Sequence, residues 1–560
     1  MDSNAEAKAS TSPPEAAITD PKKAELNGNV PYHESVADPP ERPDEKEAAN
    51  SDLEAGKAHS DSTLDEAPEP AADANIVGWN GEDDPHNPMN WSATARWGHV
   101  AIISGITFVT PLASSMFAPG VPELMAEFHS DSQTLAGFVV SVYILGFAIG
   151  PLVLAPLSEL YGRLIIYHCC NVLFLIFTIA CAVSSSLGML IAFRFLAGCV
   201  GSAPLTIGGG TIADLIPQAR RGAAMAIYAM GPLLGPVIGP VIGGFLTQAK
   251  GWRWVFWLLA IISGVIVIST LVFMRETYGV VLLERKTAAL RKSTGNPALR
   301  SKFDKNISAK TLFWTAIVRP TKMLLFSPIV LLLSIYLAIS YGYLYLLFTT
   351  FTIVFEDQYG FSSGTVGLSF LGIGVGCLLG LLFVGIVSDR IVKSKSAKGE
   401  MKPEYRLPPL IWAAPLLPVS LFWYGWSAEK HVHWIVPIIG TGLTGFSMIA
   451  SWVCIIPLPI LTPTTISSTL IFSLASFQMA ILTYLIDAFT IYAASALAAN
   501  TVLRSLCGAI LPLAGQPMYS ALGLGWGNSL LAFIALALCP VPVIFYRYGE
   551  RIRKRSTVKF

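Results

Sequence analysis

The stretch GPLLGPVIGPVIGG, at residues 231–244, decides the fold class, and it lies within an apolar run at residues 223–247. A glycine recurs at every fourth residue, so the glycines share one helical face, and a proline follows each of the first three: Gly231, Pro232, Gly235, Pro236, Gly239, Pro240 and Gly243. Proline is excluded from a central β-strand. At about 1.5 Å per residue the run is about 37 Å long, enough to cross a bilayer core of about 30 Å. The stretch therefore predicts a transmembrane helix with a small-residue face on which another backbone can pack.

Apolar runs of similar length recur along the chain. Of its 560 residues, 53% are hydrophobic and only 13% are charged, and the mean hydropathy is +0.56. A soluble domain needs a more polar surface, so this composition indicates a protein embedded in the lipid bilayer. We predict an all-α polytopic membrane protein with twelve transmembrane helices, six on each side of a polar stretch. The spans are expected at residues 99–118, 134–155, 164–184, 189–213, 223–247, 254–274, 328–351, 365–387, 409–426, from 434 onward, up to about 512, and 528–546.

Charge is distributed unevenly along the chain. The first 92 residues contain 21 acidic and 6 basic residues, a balance of −15, whereas the rest contains 32 basic and 16 acidic residues. The basic residues concentrate at residues 275–322, at 389–406 and after 547. Because cytoplasmic loops retain Lys and Arg, we expect both termini and the central stretch in the cytoplasm.

Composition also predicts the organisation of the chain. The acidic segment is rich in Pro, Ala and Glu with almost no aromatic residues, so it cannot bury enough apolar surface to fold. We expect a disordered acidic cytoplasmic tail at residues 1–95, a six-helix half at 96–275, a cytoplasmic central loop at 276–325, a second six-helix half at 326–548 and a basic cytoplasmic tail at 549–560.

The residue patterns give no indication of an enzyme. The chain contains no Walker loop or HExxH motif, and its one GxSxG match, GFSSG at residues 360–364, lies between two predicted membrane spans and does not follow a strand. Its eight cysteines lie in apolar stretches, without the paired spacing of a zinc site or a disulfide framework. We therefore expect no catalytic residue, no metal and no cofactor, and no binding of ATP or nucleic acid.

The three Gly-Pro pairs at residues 231–240 resemble the antiporter motif of the major facilitator superfamily, which is found in exporters. Ordinary small-residue packing would explain the glycines but not the prolines in register with them. The sequence APLSE at residues 155–159 is echoed by GIVSD at residues 385–389, at equivalent spans of the two halves. The resemblance implies the major facilitator fold, in which two six-helix halves surround a central cavity.

A second stretch, LSELYGR at residues 157–163, resembles the loop signature of the same superfamily. There a carboxylate and an arginine form a charge network that latches the two halves at the cytoplasmic face. The alternative is a pair of solvated loops whose ion pairs contribute under about 1 kcal/mol. The resemblance assigns the cytoplasmic latch to Glu159, Gly162, Arg163, Asp389 and Arg390.

Arg194 lies inside the fourth predicted span, in the stretch IAFRFLAG. A charge in the hydrocarbon costs at least about 2.5 kcal/mol, so the side chain is expected to face protein or water and to serve a function. The segment resembles the proton-coupling motif of these antiporters, whose arginine acts on a nearby proton carrier. The first span holds no Asp or Glu, so the carrier stays open between Asp214, Asp487 and His168.

Further stretches match the fungal drug:proton antiporters of the superfamily, at residues 84–91, 276–278, 403–408 and 493–505. Asn500 and Arg504 are polar residues in an apolar run and are expected to face the cavity. Tyr341 and Tyr345 are candidates for stacking on flat ligands, although aromatic residues also form belts at the membrane surface.

The resemblance implies proton-coupled efflux of small amphipathic or hydrophobic compounds, such as drugs, toxins or a secondary metabolite. Protons and the small-molecule substrate are the expected partners, and the plasma membrane is the expected location, with the vacuolar membrane as the alternative. Export of polyamines or other small metabolites is a second possibility, and a transporter-like sensor is a third. Polyamines would call for acidic side chains at mid-depth, and a sensor for a structured cytoplasmic extension.

One stretch, residues 451–476, does not fit the expected pattern of spans. It places three prolines and a Ser/Thr-rich run inside what would otherwise be one helix. The resemblance implies that family members pass almost directly from the equivalent of Ala450 to that of Phe477, and the 26 residues correspond to 78 nucleotides in frame. We interpret the stretch as an insertion, which would be missing from the mature transcript if it is a retained intron.

Overall fold

The computed structural model describes residues 75–81, 83–217, 220–303, 308–396, 407–452 and 493–555, with the backbone alone for residues 309, 312, 384–396, 451–452, 493–494 and 553–555. Within these ranges the chain is helical, apart from one short parallel strand pair, β1 (Ile76–Val77) and β2 (Arg300–Ser301). The all-α fold predicted from the sequence is confirmed. The predicted insertion at residues 451–476 lies outside the described residues, apart from the helix end at its first two positions, and stays a prediction.

The first half contains eight helices and two 3-10 turns, the latter at Pro88–Asn90 and Ala118–Gly120. The helices are α1 (Ala93–Ser115), α2 (Val121–Glu127), α3 (Gln133–Tyr161), α4 (Arg163–Ala182), α5 (Leu187–Gly201), α6 (Ala203–Leu215), α7 (Gly222–Lys250) and α8 (Arg253–Phe273). α1 with α2, and α5 with α6, each form one continuous stretch long and apolar enough to cross a membrane.

The central region and second half contain ten helices in the described residues. They are α9 (Gly279–Thr294), α10 (Ala309–Phe326), α11 (Pro328–Tyr359), α12 (Ser363–Ser369), α13 (Leu371–Ser396), α14 (Pro408–Ala413), α15 (Leu416–Glu429), α16 (Ile435–Trp452), α17 (Ala493–Leu538) and α18 (Pro540–Arg555). Over the described part of the chain, nine helical stretches are long and apolar enough to span a membrane, and α16 adds a shorter apolar one. This arrangement is consistent with twelve crossings.

Serine side chains fix where several helices begin. The Oγ atoms of Ser92, Ser132 and Ser186 accept hydrogen bonds from backbone amides in the first turns of α1, α3 and α5. These amides have no partner within the helix, so each cap contributes about 1 kcal/mol. α9 and α11 end at Gly295 and Gly360, which adopt the left-handed conformation that glycine accepts without strain.

Helix α8 shows how the bundle presents apolar side chains to lipid. Only 33% of the residues in its apolar 18-residue stretch are buried. Its exposed side chains, at Ile261, Val265, Ile268 and Val272, recur every three or four residues and therefore share one face. In contrast, the stretch formed by α1 and α2 is 72% buried, so it lies inside the bundle. The helices that position the candidate site are thus the interior ones.

Residues 75–81 and 83–95, at the end of the predicted disordered tail, are ordered, so that prediction is wrong for them; residues 1–74 lie outside the described part. β1 pairs with β2 of the central region. The buried Asp84 carboxylate accepts hydrogen bonds from the amides of Asn80 at 2.8 Å and His86 at 2.9 Å, and Lys286 Nζ lies 3.4 Å away. The hydrogen bonds from the two amides hold the pKa of Asp84 well below its usual range.

The predicted central loop, at residues 276–325, contains two helices, α9 and α10.

The last span begins earlier than the predicted residue 528. Helix α17 is interrupted at Gly523, whose φ of 76° is accessible to glycine but strained for other residues. The Glu429 carboxylate accepts hydrogen bonds from the amides of Leu524 at 2.8 Å and Gly525 at 3.2 Å. A carboxylate at these first amides stabilises a helix start, so the last span begins at Leu524.

Candidate functional site

The glycine face of α7 packs directly on the backbone of α1. A Cβ atom added to Gly231 would lie 2.8 Å from the Phe108 nitrogen, and one added to Gly235 would lie 2.9 Å from the Leu112 nitrogen. Further along, Gly239 packs against Ser115 and Gly243 against the carbonyl group of Met116. Real side chains essentially never approach this closely, so these four positions accept only glycine without movement of the helices. We call this contact the α1–α7 seam.

The same end of α7 also reaches the second half. Gly244 packs on the backbone of Ser363, and Gly367 of α12 packs on the carbonyl group of Pro240. Thr352 of α11 donates a hydrogen bond to the Ala118 carbonyl oxygen at 3.3 Å. The two halves therefore meet at the end of the bundle where α7 finishes and α12 begins, which we call the distal end.

Arg194 of α5 is 1% exposed and joins three helices of the first half. Its Nε donates to the Val139 carbonyl oxygen at 2.6 Å, and its Nη2 donates to the carbonyl oxygens of Ser114 at 3.2 Å and Val140 at 3.3 Å. Among the described residues it forms no ion pair. Three aromatic rings lie within 6 Å of its guanidinium carbon, where they can stabilise a desolvated cation: Phe117, Tyr143 and Phe256.

A hydrogen bond links this buried arginine region to the second half. The Ser114 Oγ and the Tyr345 hydroxyl of α11 lie 3.0 Å apart. Tyr345 is 1% exposed, so the bond is shielded from water. The ring of Tyr341, one turn earlier, has its centroid 5.0 Å from that of Tyr345. Polar contacts thus continue from Arg194 across the interface between the halves.

Arg504 and Asn500 of α17 lie one helical turn apart, beside Tyr341. The guanidinium carbon of Arg504 is 4.8 Å from the centroid of the Tyr341 ring. Asn500 is fully buried, and neither its Oδ1 nor its Nδ2 has a hydrogen-bond partner among the described residues. The four predicted cavity residues, Asn500, Arg504, Tyr341 and Tyr345, therefore lie on α11 and α17, which pack against each other.

At the other end of the first half, Arg163 is the centre of a second polar cluster. Its Nε lies 3.4 Å from Asp214 Oδ2, and its Nη1 donates to Ser158 Oγ at 2.6 Å. Its guanidinium carbon is 4.5 Å from the centroid of the Tyr278 ring. The predicted latch partner Glu159 is exposed and forms no ion pair among the described residues. The structure thus pairs Arg163 with Asp214, a residue predicted for proton coupling.

Glu276 holds the start of α4, a role that the sequence pattern did not indicate. Its carboxylate accepts hydrogen bonds from the amides of Arg163 at 3.0 Å and Leu164 at 3.2 Å. Gly162, with φ of 99°, turns the chain into this helix, and a Cβ atom there would collide with the same carboxylate. The motif Glu276-Thr277-Tyr278 was visible in the sequence, but its partners lie more than 110 residues away.

For three of the predicted site residues the structure does not describe the surroundings of the side chain. Asp389 and Arg390 lie in the part of α13 whose side chains the structure does not describe, and Asp487 lies outside the described residues. The third carrier candidate, His168, has a buried Nδ1 for which the described residues provide no hydrogen-bond partner. The latch of the second half and the identity of the proton carrier therefore stay predictions.

Removing the Glu276 carboxylate should destabilise the protein. Hydrogen bonds to charged groups contribute about 1.5–3 kcal/mol each, so we expect Glu276→Ala to lower the apparent melting temperature clearly, and Glu276→Gln to lower it less. Glu159→Ala should leave it nearly unchanged, since exposed substitutions usually stay within about 0.5 kcal/mol. Thermal unfolding of the purified variants in one detergent measures this. A larger effect of Glu159→Ala than of Glu276→Ala would contradict the assignment of the cap.

Comparison with known proteins shows which family the chain belongs to. A sequence model described as the Major Facilitator Superfamily matches residues 103–460, which is more than half of the chain. The chain belongs to the major facilitator superfamily. It is therefore a transporter of this superfamily.

Relatives and solved structures agree with this membership. The major facilitator protein "MFS-type transporter tndD" of Aspergillus flavipes is 59% identical over 485 residues, which cover 86% of this chain and 85% of the relative. "Efflux pump radE" of Floropilus chiversii is 53% identical over 484 residues, covering 86% and 85%. The solved structure of a D-xylose-proton symporter superposes with a TM-score of 0.57 at 14% identity, covering 80% of this chain and 97% of that protein. That likeness shows the fold.

Proposed function

We propose that this transporter exports small amphipathic or hydrophobic compounds, a secondary metabolite above all, in exchange for protons. The observation that carries the proposal is the α1–α7 seam, in which four glycines of α7 meet the backbone of α1 while Pro240 meets Gly367 of the second half. The seam has the residues of the antiporter motif, and the end of the same helix α7 contacts α12 of the second half. It can therefore transmit a movement of one half against the other.

The arginine of the first half supports proton coupling. Arg194 is held by backbone carbonyl oxygens and aromatic rings, in a region that α1, α3 and α5 enclose. Its partners are neutral, so its charge is not cancelled by a carboxylate among the described residues. A fixed positive charge at this depth disfavours protonation of nearby groups, and it thereby sets when a proton carrier releases its proton.

Alternating access explains how the cargo would cross the membrane. The halves meet at the distal end through Gly244, Ser363, Thr352 and Ala118. With both termini in the cytoplasm, the distal end faces outward, and an exporter would take up its cargo when the opposite, cytoplasmic end opens. The basic loops support this orientation, and the plasma membrane is the proposed location.

Relatives named as transporters or efflux pumps also support export. The printed name of one relative, "Efflux pump radE", describes export by that protein. Neither alternative from the sequence has comparable support. The interface helices α1, α3, α7, α11 and α17 carry no acidic side chain except near their ends, which disfavours a polyamine cavity.

Efflux from cells tests the proposal. Yeast cells without their own drug pumps would express the full chain and be loaded with rhodamine 6G, and its release would be followed with and without a protonophore. We expect faster release from expressing cells and loss of that difference when the proton gradient is collapsed. The control is the Gly239→Leu variant at equal abundance in the membrane. Release by wild type that is unaffected by the protonophore would contradict proton coupling.

A further inference from the structure

Arg504 is a charge placed deep in a membrane-spanning helix. It is the only charged residue among the 46 of α17, and it lies eleven residues after the start at Ala493, or about 17 Å along the helix. Such a residue faces protein or a water-filled cavity and requires a partner. Among the described residues it has no ion pair, and its Nε has no hydrogen-bond partner although it is buried.

The face of α17 that carries Arg504 points at the interface between the halves. Gly508, one turn further along, is close enough to Tyr341 and to Ile144 of α3 that an added Cβ would lie 2.9 Å and 3.2 Å from their side chains. Asn500 lies one turn before Arg504 on the same face. The face therefore runs along the boundary between the second half and α3 of the first.

The helices around this face supply no acidic partner at mid-depth. α3 carries one charged residue, Glu159, which lies two residues before its end. In α11 the acidic residues are Glu356 and Asp357, in the last turn. α1 and α7 contain none. With Arg194 behind Ser114 and Arg504 on α17, the described part of the interface is positive at its centre, and low-dielectric walls strengthen that field.

From this juxtaposition we infer that Arg504, Asn500 and Tyr341 form a subsite for carboxylate-bearing aromatic compounds. The inference rests on the proposed function, since it names the substrate class of the exporter's own cavity. Tyr341 covers one face of the guanidinium, so the in-plane N–H donors are left for an acceptor. A planar carboxylate matches these donors, and it compensates the charge of Arg504 while bound.

Asn500 adds the second polar contact. Its amide is fully buried, and in the described part of the chain both of its polar atoms lack hydrogen-bond partners. An unpartnered buried amide costs free energy, which a hydroxyl or carbonyl group of the cargo would recover. Tyr341 and Tyr345 provide the aromatic surface beside it, with ring centroids 5.0 Å apart. The subsite thus selects an acid that also carries an aromatic ring and a further polar group.

Binding of a matched pair of probes tests the subsite. The purified full chain would be titrated with 6-hydroxy-2-naphthoic acid and with its methyl ester, which has the same ring but no charge, and the affinities measured by calorimetry. We expect the acid to bind at least about tenfold more tightly, about 1.4 kcal/mol. Arg504→Gln should reduce this preference to about twofold or less while ester binding is kept, Arg504→Lys should retain part of it, and the exposed Arg551→Gln should leave it unchanged.

The possible outcomes distinguish failure of the subsite inference from failure of the proposed export function. Equal affinities for acid and ester in wild type, or an acid preference that survives in Arg504→Gln, would overturn the inference. A preference gained only in Asp487→Asn would also overturn it, because Arg504 would then be paired within the protein. Acid binding without efflux of any compound would contradict the proposed function and leave the subsite standing. Efflux that is restricted to neutral compounds would contradict the subsite and leave the proposed function standing.

Discussion

Arg194→Ala is expected to abolish proton-coupled efflux. The substitution removes a fully buried guanidinium together with its hydrogen bonds to Val139, Val140 and Ser114. The carbonyl groups that lose this donor belong to helices and keep other neighbours, so the fold should survive, with a destabilisation of about 2–4 kcal/mol from the lost packing and charged hydrogen bonds. Transport should fall to below about a tenth of wild type, because coupling requires the fixed charge.

Arg194→Lys provides the matched control. A lysine keeps the positive charge but lacks the planar fork that reaches three carbonyl oxygens. We expect the lysine variant to keep partial efflux with a shifted pH dependence, whereas alanine shows none. Efflux is measured against external pH in cells with equal protein in the membrane. Normal pH-dependent efflux in Arg194→Ala would refute the coupling role.

Leucine at the α1–α7 seam should be the second most damaging change. A Cβ atom alone at Gly235 would lie 2.9 Å from the Leu112 nitrogen, and that at Gly239 2.6 Å from Ser115 Oγ. A leucine must therefore push α7 away from α1, and overpacking of this kind costs about 1–3 kcal/mol. We expect Gly235→Leu and Gly239→Leu to lose most of their efflux.

Gly105→Leu in α1 is the matched control, because it introduces the same leucine side chain. An added Cβ there meets nothing within 4 Å, so Gly105→Leu should keep near-normal efflux. The ratio of efflux rates between Gly105→Leu and Gly235→Leu, at matched abundance, is the measurement. Equal activity in both variants would show that close approach of α1 and α7 is dispensable for transport.

The elements that could be predicted from the sequence are those whose residue pattern lies within a single helix. The glycines at positions 231–243 repeat every four residues, close to the helical period, so they revealed both a helix and its contact face before any partner was known. Arg194 stood out because a charge inside an apolar run is costly wherever the run folds. In both cases the evidence lies within a few turns of one helix.

Pairings between distant segments could not be predicted in this way. Arg163 was predicted to belong to a cytoplasmic latch together with Glu159, and its ion pair in the structure is with Asp214, which is 51 residues away. The Glu276 cap and the Ser114–Tyr345 hydrogen bond depend likewise on how helices are placed in space. Composition misled at the tail, since the average over an acidic segment hid the local turn around Asp84.

Exchange of protons for cargo is the central claim, and proteoliposomes test it most directly. Purified protein would be reconstituted with a pH-sensitive dye inside, a proton gradient of either sign would be imposed, and rhodamine 6G would be added outside. The account predicts that cargo accumulates against its gradient only when protons flow the opposite way, that reversing the pH gradient reverses the cargo movement, and that Arg194→Ala shows neither. Cargo movement that is equal with and without a proton gradient would contradict it.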